Sequence, residues 1–157
     1  MRRCRHFDGA ALTAAGISDL IGDTVSASFR LSDGATPNGG QLVFFVSKDG
    51  DDYGDLTSCF APGSDWGSLS VDLNNPAGWV PLLGSGDLGV QNAWQSPDSI
   101  GYAFVGATGP AAGQIQMGNF EIISDPSSGG STPELPLVAL LGVLPLGLAW
   151  IRLRRDS

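Results

Sequence analysis

The sequence predicts an all-β fold, an antiparallel β-sandwich of jelly-roll type, followed by one C-terminal transmembrane helix. The composition favours the sandwich, because 23 glycines, 10 prolines and only 15% charged residues in a chain of 157 suit short strands joined by turns. Hydrophobic segments recur between Gly- and Pro-rich turns, and no helical period competes with them. An uncharged apolar stretch near the C-terminus predicts the helix.

The predicted sandwich domain covers residues 23–124. Its first strand begins near Asp23, where hydrophobic residues at positions 25, 27, 29 and 31 alternate with polar ones. Residues 41–47 (QLVFFVS) form a continuous run of branched and aromatic side chains, which indicates a central strand covered on both faces. A turn is expected over KDGDDYGD. Further strands are expected at residues 56–60, 66–73, 79–83, 100–107 and 114–123.

Residues 1–22 are predicted to be an N-terminal segment outside the sandwich, truncated or partly disordered. Three early arginines match the basic start of an export signal, but Asp8 interrupts the residues after them and no apolar region forms. Because the C-terminal tail requires export, we expect the true start of the protein to lie upstream of Met1. The sequence leaves open whether Cys4 and Cys59 pair in an oxidising compartment.

The net charge of −8 is unevenly distributed, since six of the eight basic residues lie at the two ends of the chain. Between residues 6 and 126 the only cations are Arg30 and Lys48, against fourteen carboxylates, so that this part carries about −12. Such a domain repels phosphate backbones, which argues against nucleic-acid binding. With one histidine and no Cys/His cluster, a zinc site and a His-dependent triad lack their side chains.

The predicted tail has three parts. Residues 125–134 (DPSSGGSTPE) are small and polar and are expected to form a flexible linker. Residues 135–151 (LPLVALLGVLPLGLAWI) are uncharged, and a helix of this length rises about 26 Å, close to the hydrocarbon thickness of about 30 Å. Pro145 is expected to kink this helix without preventing insertion. Residues 152–157 form a basic end with Arg152, Arg154 and Arg155, which stays cytoplasmic by the positive-inside rule and leaves the domain on the periplasmic or extracellular side.

This tail resembles the PEP-CTERM sorting signal, with a short motif at Pro133, Glu134, Leu135 and Pro136, one apolar helix and an arginine-rich end. The resemblance implies recognition by an exosortase, a membrane-embedded cysteine protease or transpeptidase of Gram-negative bacteria, in an exopolysaccharide or biofilm context. Cleavage would release the domain or transfer it to the outer surface. The motif departs from the usual Pro-Glu-Pro of the family. Through Gly129-Gly130-Ser131 the tail is also similar to the GlyGly-CTERM signal associated with rhombosortase, and an uncleaved anchor is a third alternative.

The body of the chain resembles extracellular laminin-B-type and related jelly-roll domains. The matching stretches are VSASFRLSDG, GGQLVFFVS, WGSLSVDL and GNFEII. This resemblance implies a type of fold and supplies no catalytic residues.

Two groups of side chains are candidate sites. Asp49, Asp51, Asp52 and Asp55 offer the hard oxygen ligands that calcium prefers, although a solvated hairpin turn accounts for the same residues and the spacing is not that of an EF-hand. Trp94, with Asn92 and Gln95 beside it in a polar loop, is the candidate for stacking on a sugar ring, whereas Trp66 and Tyr102 lie in predicted strands and are assigned to the core.

No cofactor other than a candidate calcium ion is expected, and no paired carboxylates or activated nucleophile point to an enzyme. We expect an exported, non-catalytic protein, structural or adhesive, associated with the cell surface or an exopolysaccharide matrix. Its expected partners are the membrane, an exosortase-like enzyme and a polysaccharide. The alternatives are a carbohydrate-binding module and a membrane-anchored domain that no sortase processes.

Overall fold

The alternating segments of the sequence become the strands of the fold. The computed structural model of the protein describes residues 2–109, 112–124 and 150–153. Two short helices interrupt the strands of this part of the chain. In chain order the elements are β1 (Arg2–Asp8), α1 (Gly9–Ala14), β2 (Asp23–Leu31), β3 (Gln41–Lys48), β4 (Asp51–Asp55), β5 (Gly67–Asp72), β6 (Trp79–Leu83), α2 (Val90–Gln95), β7 (Ser99–Val105), β8 (Gly113–Ser124) and β9 (Trp150–Leu153).

The strands form two antiparallel sheets, which confirms the prediction of an all-β fold. Sheet A has the strand order β1-β7-β3-β4-β6, and sheet B has the order β5-β2-β8-β9. Strand β3 is central in sheet A and is buried along most of its length, as its continuous apolar sequence predicts. Strand β2 is central in sheet B, where Val25, Ala27 and Phe29 point into the core and the residues between them are half-buried.

Aromatic rings from both sheets meet in the core. Tyr102 in β7 lies edge-on to Phe29 in β2, with ring centroids 4.7 Å apart, and 5.5 Å from Phe44 in β3. The ring of Phe120 in β8 is 6.4 Å from Tyr102 and 4.6 Å from Phe7 in β1. Edge-to-face and tilted arrangements at these distances are favourable for aromatic pairs. The cluster therefore joins two strands of sheet B to three strands of sheet A.

The N-terminal residues belong to the sandwich, in contrast to the prediction that residues 1–22 lie outside it. Strand β1 pairs with β7, and Phe7 packs against the core. Asp8 then caps α1, because its Oδ1 accepts a hydrogen bond of 2.9 Å from the backbone N–H of Ala11. The sequence of β1 is basic and polar and does not show the pattern of a strand. This segment becomes part of the domain only because it pairs with β7 at the edge of sheet A.

The turn between β3 and β4 is shorter than the sequence predicts. Asp49 and Gly50 both have positive φ, 51° and 92°, as a two-residue Asp-Gly hairpin requires, so that Lys48 pairs directly with Asp51. Strand β4 consequently occupies Asp51–Asp55, where a turn was expected. The strand predicted over residues 56–60 is wrong, and of these residues Phe60 alone forms a bridge, to Leu42.

The C-terminal tail is described only in part. Residues 125–149 and 154–157 lie outside the described residues, and with them the sorting motif at 133–136, Arg154, Arg155 and most of the predicted helix. Strand β9 pairs with the edge of β8, so that Trp150 and Ile151, predicted as the end of the helix, are in a strand, and Arg152 is opposite Gln114. Trp150 and Ile151 are aromatic and branched residues, which favour a strand, and β8 would otherwise have an unpaired edge for such a strand to join. In the described part of the chain, no helix has the length and apolar character needed to cross a membrane.

Two tyrosines of the fold differ in the hydrogen bonding of their hydroxyl groups. The Tyr102 hydroxyl is buried and bonds no acceptor or donor in the described chain, and burial raises the pKa of this phenol. The Tyr53 hydroxyl donates to Asp51 Oδ2 (3.2 Å) and accepts from the backbone N–H of Gly89 (3.0 Å). We expect Tyr53→Phe to lower the free energy of unfolding by about 1 kcal/mol and Tyr102→Phe to leave it unchanged or raise it.

Urea denaturation followed by circular dichroism measures both variants. Each change removes one oxygen and keeps the ring, so the two variants control for each other. A larger loss in Tyr102→Phe than in Tyr53→Phe would contradict the assignment of the unbonded hydroxyl to Tyr102.

Candidate functional site

The outward face of sheet B is rich in hydroxyl groups. Because β2 and β5 pair in register, Ser28 stands opposite Ser68 and Ser26 opposite Ser70. The Oγ atoms of Ser28 and Ser68 are 3.4 Å apart. The hydrophobic partners of these residues along both strands point into the core, so the serines must face solvent. The sheet thus presents a flat polar surface.

One end of this surface carries an exposed tryptophan, in contrast to Trp79 and Trp94, which are buried. Trp66 precedes β5 and is 48% exposed. The guanidinium carbon of Arg30, on the neighbouring strand β2, is 4.8 Å from the centroid of its ring, which is cation–π geometry. The far end of the ring lies over Gly118 in β8, where a Cβ atom would be 3.5 Å from Cη2 of Trp66. The ring therefore lies across β2 and is held there.

Arg30 is itself held in position by β8. Its Nε donates a hydrogen bond to Oε1 of Gln116, the residue directly opposite in the sheet, and the Gln116 side chain is buried. The terminal nitrogens of Arg30 bond no acceptor within the described chain, and Arg30 forms no ion pair there. We call the set Ser28, Arg30, Trp66, Ser68 and Gln116 the Trp66 patch.

Lys48, the other cation between residues 6 and 126, is used differently. Lys48 Nζ donates to Asp98 Oδ1 at 2.9 Å, and the backbone N–H of Asp49 donates to Oδ2 of the same carboxylate at 2.7 Å. These bonds, the one from Asp49 first, lower the pKa of Asp98. Asp98 thereby ties the β3–β4 hairpin turn to the start of β7. Lys48 is a structural partner, and Arg30 keeps free donors.

The predicted sugar contact at Trp94 is wrong. Trp94 is buried and packs edge-on against Trp79, with ring centroids 5.1 Å apart. It lies on α2, whose inward residues Val90, Ala93 and Trp94 follow the helical spacing i, i+3, i+4, a signal that the polar neighbours concealed. Asn92 and Gln95 are exposed, but Asn92 Nδ2 is engaged with the carbonyl of Leu88 at 2.6 Å.

The assignment of Trp66 to the core is also wrong, although the sequence contains a pattern that places this residue outside the core. Leu69, Val71 and Leu73 are odd-numbered and buried, so the alternation of a strand places residue 66 on the opposite face. The prediction weighed the hydrophobic character of Trp66 above this parity. Of the two rings that the prediction compared, Trp66 is therefore exposed and Trp94 is buried.

The four aspartates proposed for calcium are not brought together. Among the described residues no three His, Cys, Asp or Glu side chains are grouped as a metal would need. Asp51 Oδ1 accepts from the backbone N–H of Ser85 (2.9 Å), and Asp55 Oδ1 accepts from both the N–H and the hydroxyl of Thr57 (2.8 and 2.6 Å). Strand β4 separates these two carboxylates by four residues, about 13 Å along a strand. These carboxylates hold loops in place.

Cys59 is a free thiol in the described part of the chain. Its Sγ donates to the carbonyl of Leu56 at 3.1 Å, and partial burial, followed by the nearby charge of Asp55, raises its pKa. A thiol of raised pKa is a poor nucleophile. Its surroundings therefore do not activate Cys59 as a nucleophile.

Comparison of the chain with protein-family models, curated proteins and solved structures finds no match. The site is accordingly defined by its own geometry, and the Trp66 patch is the group of side chains on the described surface that combines an exposed ring, free donors and neighbouring hydroxyls.

The contributions of two carboxylates, Asp98 and Asp23, to the stability of the fold should change with pH in opposite directions. The folded-state pKa of Asp98 is lowered, so its contribution to stability is present above about pH 4 and is lost as the pH falls through the lowered value. The pKa of Asp23, the first residue of β2, is raised, chiefly by burial and against a hydrogen bond from Ser124. Its favourable contribution is present below about pH 4 and is lost as the pH rises through the raised value.

We therefore expect Asp98→Asn to lower the free energy of unfolding at pH 7 and Asp23→Asn to raise it, with both differences shrinking below about pH 4. Urea denaturation between pH 3 and pH 8 measures this. Shifts of the same sign at pH 7 would contradict the assignment of one stabilising and one destabilising carboxylate.

Proposed function

We propose that the protein is an exported, non-catalytic domain that is associated with the cell surface or with an extracellular matrix, where it has a structural or adhesive role. One observation supports this most directly. Strand β8 ends at Ser124, and the chain then continues into a polar linker, an uncharged apolar stretch and a cluster of arginines. This is the order of a folded domain followed by a membrane-targeting tail.

We propose further that the tail is a PEP-CTERM-like sorting signal and that an exosortase-like enzyme is its partner. Pro133, Glu134, Leu135 and Pro136 would be the recognition motif, and Arg152, Arg154 and Arg155 the cytoplasmic stop. The sandwich would be of jelly-roll type and would lie on the periplasmic or extracellular side, in an exopolysaccharide or biofilm setting.

Membrane insertion of residues 135–151 as a helix requires β9 to leave the edge of β8, since Trp150 and Ile151 belong to both. The apolar stretch contains ten Leu, Val and Ile residues, and each favours insertion by about 0.3–0.6 kcal/mol at the centre of a helix. Strand β9 has only four residues and lies at a sheet edge, so little stabilising structure is lost when the segment inserts as a helix. The strand and the helix are therefore proposed as states of the same segment outside and inside a membrane.

A second candidate function, a carbohydrate-binding module, is favoured by the Trp66 patch. An exposed ring beside hydrogen-bonding side chains is the usual arrangement for contact with a sugar. An anchor that no enzyme cleaves is the other alternative for the tail, and it differs from a sorting signal in staying full-length when an exosortase is present.

The full chain, fused behind an export signal and expressed in a Gram-negative host that contains an exosortase, tests the tail. We expect conversion to a shorter form, detected by mass spectrometry, and its loss in the double variant Pro133→Ala/Glu134→Gln, which should stay full-length in the membrane fraction. Glu121→Gln, the same change on the exposed face of β8, is the matched control and should be processed normally.

A second variant tests the membrane segment itself. Leu141→Arg/Leu144→Arg places two charges near its centre, at a cost of about 2.5–3.5 kcal/mol each, and should move the protein out of the membrane fraction. A wild-type chain that stays full-length in the membrane would identify a plain anchor, and one that never enters this fraction would refute the tail as proposed.

A further inference from the structure

An unpaired arginine is unexpected on this domain. Between residues 6 and 126 carboxylates outnumber cations by fourteen to two, so acidic residues are plentiful in this part of the chain as a whole. Lys48 is paired with Asp98, but Arg30 forms no ion pair among the described residues, not even with Asp65, which precedes Trp66 in the chain. The one hydrogen bond that its side chain makes within the described residues goes to the uncharged Gln116.

The arrangement fixes the guanidinium group of Arg30 and leaves its two terminal nitrogens, the fork of the group, without acceptors in the described chain. Gln116 takes the Nε donor, and the ring of Trp66 lies against the guanidinium plane, so the side chain has lost much of its rotational freedom before any ligand arrives. The two terminal nitrogens carry the paired donors that match a carboxylate in bidentate geometry. A fork held in this way suits an anionic group of planar shape.

The ring beside the fork suits a sugar. Half of the Trp66 surface remains exposed, although Arg30 and Gly118 lie against the ring. Aromatic rings provide apolar platforms with low entropy cost, and the hydroxyls of Ser28 and Ser68 lie on the same flat face within reach of a chain that crosses the sheet.

We propose that the Trp66 patch binds a carboxylated pyranose residue of an acidic heteropolysaccharide, with the carboxylate on the fork of Arg30 and the sugar ring on Trp66. Nothing in this assignment depends on how the protein is exported or processed.

The charge distribution fits a polysaccharide in which carboxylates are separated by neutral sugars. Glu121 and Asp72, the acidic residues on the outward face of sheet B, stand opposite Ser26 and Thr24. They are thus about 13 and 20 Å from Arg30 along the strand, beyond the screening length of about 8 Å at physiological salt. A single carboxylate can reach Arg30, whereas a dense polyanion would meet the acidic remainder of the domain.

Affinity electrophoresis of the full chain in gels containing xanthan, whose side chains carry glucuronate, tests the proposal. We expect retardation in xanthan and at least tenfold weaker apparent affinity for xanthan whose carboxyl groups have been reduced to alcohols. Trp66→Ala and Arg30→Gln should each lose at least tenfold. Lys48→Gln removes the same charge from the same domain and is the matched control, for which we expect unchanged retardation.

Conservative variants guard against a loss of folding, which urea denaturation of each variant checks. Trp66→Phe should bind better than Trp66→Ala, and Arg30→Lys, which keeps the charge without the fork, should bind as poorly as Arg30→Gln. Equal retardation by native and carboxyl-reduced xanthan would overturn the role of the carboxylate, as would preferential binding to dextran sulfate. Full binding by Arg30→Gln, or an equal loss in Lys48→Gln, would overturn the role of the patch. Because binding is measured on purified protein, its failure leaves the proposed sorting unaffected, and the reverse also holds.

Discussion

The contact of Tyr102 with Phe29 is the interaction on which the rest of the sandwich depends. It joins the second strand of sheet A to the central strand of sheet B, at a centroid distance of 4.7 Å, and Phe44 and Phe120 complete the cluster around it. Each such aromatic pair contributes about 0.5–1.5 kcal/mol beyond the burial of its area. Once Phe29 points inward, the alternation of β2 directs Ser28 and Arg30 outward, so the core and the Trp66 patch are two faces of one strand.

An irregularity in β8 makes both faces possible at once. The register between β2 and β8 shifts between Ser26 and Ser28, and Asn119 has a φ of 48°. Before this bulge the even-numbered residues of β8 face outward, and Gly118 lies under Trp66; after it, Phe120 faces inward and reaches Tyr102 and Phe7. A bulge is the means by which one strand can change the parity of its side chains. Without the extra residue, either Phe120 would leave the core or Gly118 would no longer lie under the ring of Trp66.

Local patterns in the sequence were sufficient for the sheets and insufficient for the site. The alternation of β2 and the continuous apolar run of β3 predict both strands because burial of a whole strand face dominates their energetics. Strand β1 was missed because its place depends on pairing with β7, which is distant in the chain and which no local pattern records. The predicted exposures of Trp66 and Trp94 are reversed in the structure for a related reason. The neighbouring residues suggested a buried Trp66 and an exposed Trp94. The alternation of side chains in β5 places Trp66 outside, and the helical spacing in α2 places Trp94 inside.

The hydrogen bonds of the acidic residues explain why Arg30 has no acidic partner among the described residues. Asp8 caps a helix, Asp51 and Asp55 bind backbone donors of adjacent loops, and Asp98 binds a turn, so these carboxylates are satisfied within the fold. Carboxylates bound in this way stay in their own loops and gather neither a metal ion nor Arg30. Between residues 6 and 126 the only other cation, Lys48, is paired with Asp98, so that Arg30 is the one that keeps free donors among the described residues. Its immobilisation by Gln116 and Trp66 costs side-chain entropy in the free protein, so that less would remain to be lost if a ligand bound the guanidinium group.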